Sequence, residues 1–122
     1  MQSVRMQDFK NLRVWHEALR LSLNVLHSMD AKSYAKYPGK RSQTFRCAES
    51  IASNVAEGAV KSNAEFARYI DNALASAAEL ENHLIFARLA RLIPGRRIDR
   101  LMERLDYVRR GLIKLLRRVR ES

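Results

Sequence analysis

The side chains with the most versatile chemistry are few and scattered. His16, His27 and His83 are far apart, and none has a second His or Cys three or four residues on. Di-iron bundles need a carboxylate with a histidine three residues later, repeated on more than one helix. The nearest approach is Glu79 with His83, a single copy at four-residue spacing, so neither a metal nor another cofactor is expected. Cys47 is the only cysteine and follows Arg46. A neighbouring cation favours the thiolate, but no base with an orienting partner accompanies it, and a free structural thiol is expected. There is no G-x-S-x-G elbow, no phosphate-cradling glycine loop and no dinucleotide fingerprint. The expectation is a protein without catalytic residues, not an enzyme.

Charge is the stronger signal. The 122 residues carry a net charge of +10, and 17 of the 23 basic residues are Arg, whose planar fork suits phosphate and carboxylate. The stretch from Gly95 to Ser122 alone holds 10 basic against 4 acidic side chains. Such a field favours anionic partners.

Four helical segments would position these groups: 12–29, 40–57, 64–92 and 96–119. Pro38-Gly39, Pro94-Gly95 and the run from Gly58 to Asn63 separate them. Apolar residues recur every three to four positions in each segment. Trp15, Ala18, Leu19, Val25, Leu26 and Met29 form the first stripe. Phe45, Ala48, Ile51, Ala52, Val55, Ala56 and Ala59 make a small-residue face on the second, suited to close helix approach. Phe66, Ile70, Ala73, Ala77, Leu80 and Leu84 mark the third, and Ile98, Leu101, Leu105, Val108, Leu112, Leu116 and Val119 the fourth. Ser62 and Glu65 have the spacing of a capping box. Gly58 is placed to end the second helix in a left-handed conformation. Connections between long helices, short except for Asp30–Pro38, predict one all-α domain over 1–122, an antiparallel up-down-up-down four-helix bundle.

The stretch GKRSQTFRCAESIASNVAEG, Gly39–Gly58, also resembles the second helix of the 23S ribosomal RNA intervening-sequence protein family. That helix reads G-L-T-S-Q-I-R-R-A-A-x-S-I-P-S-N-I-A-E-G. Gly39, Ser42, Gln43, Arg46, Ala48, Ser50, Ile51, Ser53, Asn54, Ala56, Glu57 and Gly58 match it. Phe9, Leu12, Val14, Trp15 and Ala18 resemble the family's F-x-x-L-x-V-W-x-x-A. Glu65, Phe66, Arg68, Ile70, Ala73, Ser76, Glu79, Leu80 and Glu81 resemble its later E-F-x-R run. Ala52 stands where the family usually has Pro and Ala75 where it often has Gly; both favour a straighter helix. The resemblance implies a four-helix bundle assembling as a homopentamer. The fold is also similar to that of accessory proteins of diversity-generating retroelements, which are basic and associate with RNA.

Two charged residues conflict with the stripes. Glu81 falls among the apolar positions of the third helix and needs a partner. Arg88, two turns on, and Arg46, on the second helix, are the options for a structural ion pair. Arg109 sits at the edge of the fourth stripe, where it either snorkels to solvent or lines a subunit interface or central channel. On the outer side of that helix, Arg96, Arg100, Arg110, Lys114, Arg117 and Arg118, with Tyr107 among them, form the expected nucleic-acid-binding face; an exposed aromatic among arginines stacks on bases. Asp99, Glu103 and Asp106 dilute it. The expected partner is nucleic acid, RNA favoured over DNA, and the alternative is an acidic protein held by an oligomeric scaffold. Leu21, Leu23, Leu89 and Ile113 are read as exposed apolar contact surface. No apolar run suits a secretion signal or a membrane span. With a single Cys, the chain is expected in the cytoplasm, without membrane attachment.

Overall fold

No strand occurs among the described residues, whose long helices follow the apolar periodicity of the sequence. A computed structural model describes residues 9–122; most of the stretch read for a secretion signal lies outside them. A 3-10 turn at Phe9–Asn11 leads into α1 (Arg13–Ser28). The short α2 (Ala31–Tyr34) follows, then α3 (Lys40–Ala59), α4 (Asn63–Leu89) and α5 (Gly95–Glu121). Among the described residues, no helix is long and apolar enough to cross a membrane.

The four long helices close a cycle: α1 packs on α3 and α5, and α4 packs on the same two. Cross-helix contacts join Cys47 to Ser76 and Glu57 to Tyr69 between α3 and α4. Between α4 and α5 they join Arg88 to Asp99, Glu81 to Arg109 and Asp71 to Arg120. In both pairs residue numbers rise on one helix as they fall on its neighbour. Inside the cycle Ile51, Val55, Phe66, Ile70, Leu80, Leu84, Leu105 and Leu112 are fully buried.

The small-residue face of α3 is real: Ala48, Ala52 and Ala59 are buried with Ile51 and Val55, while Phe45 and Ala56 stay half-buried. α3 and α4 run unbroken through Ala52 and Ala75, as expected where Pro and Gly are absent. Gly58 does not cap α3. It lies inside the helix, buried, and a Cβ there would sit 2.6 Å from Tyr69 Cβ and 2.9 Å from Phe66 Cδ1. Its missing side chain sets how closely α3 approaches α4.

The α1 stripe is rotated from the expected one. Val14, Ala18, Leu21 and Val25 are buried, Leu19 is exposed, and Trp15 is half-buried, edge-on to Phe9 at 5.1 Å. Leu21 is therefore core, not contact surface. Leucines at 19, 21 and 23 leave two adjacent faces equally apolar, and packing between α3 and α5 selects one. Leu23, Leu89 and Ile113 are exposed.

α4 stops at Leu89, before the expected Leu92, because the chain enters a left-handed turn. Arg91 has φ 58°, with Leu92 N–H donating to Ala87 and Arg91 N–H to Arg88. That is a Schellman cap with Arg at the position glycine usually fills. Ser62 caps the start of α4 by accepting from Glu65 N–H at 3.3 Å, and its hydroxyl donates to the Glu65 carboxylate. The long connection before Pro38 contains α2, capped by Asp30, which accepts from Ser33 N–H and hydroxyl.

Candidate functional site

α5 is built to show one face to the core and the other to solvent. Ile98, Leu101, Leu105, Val108, Leu112, Leu115, Leu116 and Val119 are buried. Arg96, Arg100, Tyr107, Arg110, Lys114, Arg117 and Arg118 are all exposed. Arg110 lies 3.5 Å from the Asp106 carboxylate one turn back. Among the described residues, the other five cations of this set have no carboxylate within salt-bridge distance.

These residues do not form one site. Gly111, half-exposed in the middle of α5, lets α1 come close: a Cβ there would lie 3.0 Å from Val14 Cγ2. Beside that contact runs a groove of about 420 Å³ between α1 and α5. Leu12, Val14, Val108 and Leu115 form its apolar lining, and Arg13, Arg110, Lys114, Arg118 and Tyr107 surround them with Glu17 and Gly111. Four of the expected residues are thus gathered. Arg100 and Arg117 lie outside the lining, and Arg96 is about 27 Å from Lys114 along the helix at 1.5 Å per residue.

Sequence reasoning missed Arg13 and Glu17. Their signal was Gly111 itself: a glycine inside a helix otherwise made of good helix formers marks a close neighbour, and α1 is that neighbour. The arrangement offers cations for phosphate, an aromatic face for a base and an apolar floor for a ring.

The charge anomalies resolve differently from expectation. Glu81 is half-exposed at the edge of the α4 stripe and pairs with Arg109, Nη2 to Oε1 at 2.9 Å. Arg109 Nη2 also lies 3.5 Å from the Ala77 carbonyl. Arg88 pairs with Asp99, and Arg46 is exposed; neither meets Glu81. The carboxylate is thus taken by a guanidinium of α5, across the α4–α5 contact, rather than by one from α3 or from α4 itself.

Among acid, His and Cys side chains, Glu79 and His83 gain a neighbour that linear spacing hides. Cys47 arrives from α3, and ligand atoms of the three lie within 4.8 Å of one another. Burial, with the Glu79 carboxylate second, pushes the Cys47 thiol up to about 12, so it is protonated and a poor nucleophile. Tyr34 is buried with no partner for its hydroxyl among the described residues, and burial likewise pushes it up to about 12, against a smaller opposing effect from Arg41.

A family model described as 23S rRNA-intervening sequence protein matches residues 10–114, from the turn before α1 to Lys114 in the groove. No curated protein matches the chain.

Proposed function

The chain belongs to the 23S rRNA-intervening sequence protein family, and on that footing we propose that it is a non-enzymatic RNA-binding or ribonucleoprotein accessory module. RNA enters by the α1–α5 groove. Arg13, Arg110, Lys114 and Arg118 take phosphates, and Tyr107 stacks on an unpaired base. The observation that supports this reading is the gathering of four cations and an exposed aromatic around one apolar-floored groove. Recognition is weakly sequence-selective because the cations contact backbone, and it weakens steeply with salt. Single-stranded RNA is favoured over duplex DNA because unstacked bases suit an aromatic platform. The opposed registers of α3 with α4 and of α4 with α5 support an antiparallel up-down-up-down order for the bundle.

A second reading is an oligomeric scaffold, a pentamer by family resemblance, that holds an acidic protein. Exposed Leu23, Ile85, Leu89 and Ile113 support it as apolar contact surface outside the core. Titration of purified protein with random single-stranded RNA and with duplex DNA at low and moderate salt separates the two. The RNA reading expects saturable binding at low salt that weakens as salt rises. No RNA binding at low salt removes it and leaves the scaffold.

A further inference from the structure

On the edge of the helix cycle opposite the groove, α3 and α4 bring together a thiol, a carboxylate and an imidazole. Glu79 and His83 are four residues apart on α4 and so share a face. Cys47 approaches from α3, with ligand atoms of all three within 4.8 Å of one another. His83 is only 7% exposed, and both its ring nitrogens are buried without a hydrogen-bond partner among the described residues. Nε2 lies 3.6 Å from Glu79 Oε2, too far for a hydrogen bond. Buried imidazoles are ordinarily satisfied through at least one nitrogen. An imidazole lone pair held buried beside a carboxylate and a thiol is the donor arrangement of a transition-metal site.

We propose that Cys47, Glu79 and His83 bind one Zn²⁺-class ion that ties α3 to α4. The inference is independent of RNA binding. Thiolate with imidazole selects zinc over magnesium or calcium, which take oxygen ligands. In a tetrahedral zinc site the ligand atoms lie about 3.3–3.6 Å apart, given the usual bond lengths. The His83–Glu79 separation of 3.6 Å already matches that spacing, and the Cys47 sulfur, within 4.8 Å of both, has to draw in for the ion to bind. Without the ion, Cys47 donates its S–H to the Ser76 carbonyl at 3.1 Å. On binding, the S–H bond breaks heterolytically, the Zn–S bond forms and the proton leaves to solvent, with no change of oxidation state. The Glu79 side chain is 65% exposed, so the ion enters from that side and a water completes the fourth position.

The test uses the full chain, untagged, reduced and stripped with chelator, then titrated with Co²⁺ as a spectroscopic stand-in. One Co²⁺ per chain is expected, with a near-ultraviolet thiolate-to-cobalt charge-transfer band that one equivalent of Zn²⁺ abolishes. Cys47→Ser removes the band. His83→Gln and Glu79→Gln each weaken Zn²⁺ affinity at least about tenfold, no less than changes around a ligand shell do. Glu79 is exposed, so its variant folds even if the buried His83→Gln does not. Absence of the band in the unmodified chain overturns the proposal, as does Zn²⁺ affinity unchanged in folded Glu79→Gln.

Discussion

Replacing Arg13, Arg110, Lys114 and Arg118 together by Gln empties the α1–α5 groove of positive charge while keeping long side chains of good helix propensity. All four are exposed, so stability changes little. Arg118 lies in the last turns of α5, where a lost cation costs about 0.3–1 kcal/mol, and Arg13 opens α1, where its loss relieves the helix dipole. For single strands, log K falls with log salt at about −0.7 per neutralised phosphate. Four contacts therefore contribute about 2.8 to the slope. If Asp106 holds Arg110 at its 3.5 Å contact, three remain and contribute about 2.1. Between 50 and 200 mM salt the unmodified protein should lose roughly 20–50-fold more RNA affinity than the variant. Fluorescence anisotropy with a short unstructured RNA over that range measures both slopes. Arg96→Gln with Arg97→Gln lowers net charge by two outside the groove and should alter the slope less. Equal slopes for the unmodified protein and the fourfold variant refute the groove. A double variant as damaging as the fourfold one would mean that bulk charge, not this cleft, attracts the RNA.

Other perturbations test the packing that builds the groove and the bundle. Gly58→Ala should destabilise by about 1–3 kcal/mol, as overpacking does, despite the better helix propensity of Ala, because Tyr69 Cβ stands 2.6 Å from the new methyl; a raised melting temperature would contradict the close α3–α4 contact. Arg91→Gly should stabilise by about 1 kcal/mol, because a left-handed turn costs a side-chain-bearing residue about that much, and urea unfolding measures it. Phe66→Ala should cost about 3–5 kcal/mol and Trp15→Ala distinctly less, since Phe66 is fully buried and Trp15 half-exposed; equal costs would place Trp15 in the core. Tyr34→Phe removes a buried hydroxyl without a partner, so stability at neutral pH should hold or rise. Because the folded state keeps the phenol protonated to about 12 against 10 unfolded, Tyr34 makes stability fall as pH rises from 10 to 12, and the Phe variant should flatten that fall in denaturant titrations.

Helix positions were legible because they rest on local periodicity and on the Pro-Gly breaks. α5 was the clearest: eight buried apolar residues recur on one side of a highly charged helix, so only one face could turn inward. α1 was harder. Its leucines supply two apolar faces, and the choice of Leu21 over Leu19 was made by α3 and α5, which no window within α1 contains. Gly58 shows the same limit. Glycine near a helix end reads as a cap, but whether its lack of a side chain serves φ or proximity depends on Tyr69 and Phe66 from the next helix. The end of α4 was misplaced because Arg91 takes a left-handed conformation that its residue type argues against. At the sites, residue types could be read but companions could not. Lys114 and Arg118 gained Arg13, roughly a hundred residues earlier in the chain. Glu79 and His83 gained Cys47, and Glu81 took Arg109 in place of either expected arginine.

The helix cycle also decides which arginines are available to a partner, something net charge cannot express. Along the flank of α5 that faces α4, carboxylates meet the guanidinium groups: Glu81 takes Arg109, Asp71 takes Arg120, and Asp99 of α5 itself takes Arg88 of α4. Along the flank that faces α1, the neighbouring helix supplies Arg13 and only Glu17 in return. Swapping those two neighbours would leave composition, helix content and the charge of +10 unchanged, yet would move the accessible positive surface to the other side of the molecule. The polyanion reading therefore depends on order around the cycle. Introducing an acid on α1, as in Arg13→Glu, should weaken RNA binding more than the same change at Arg68 of α4, although both alter net charge equally. Equal effects would detach binding from the α1–α5 flank.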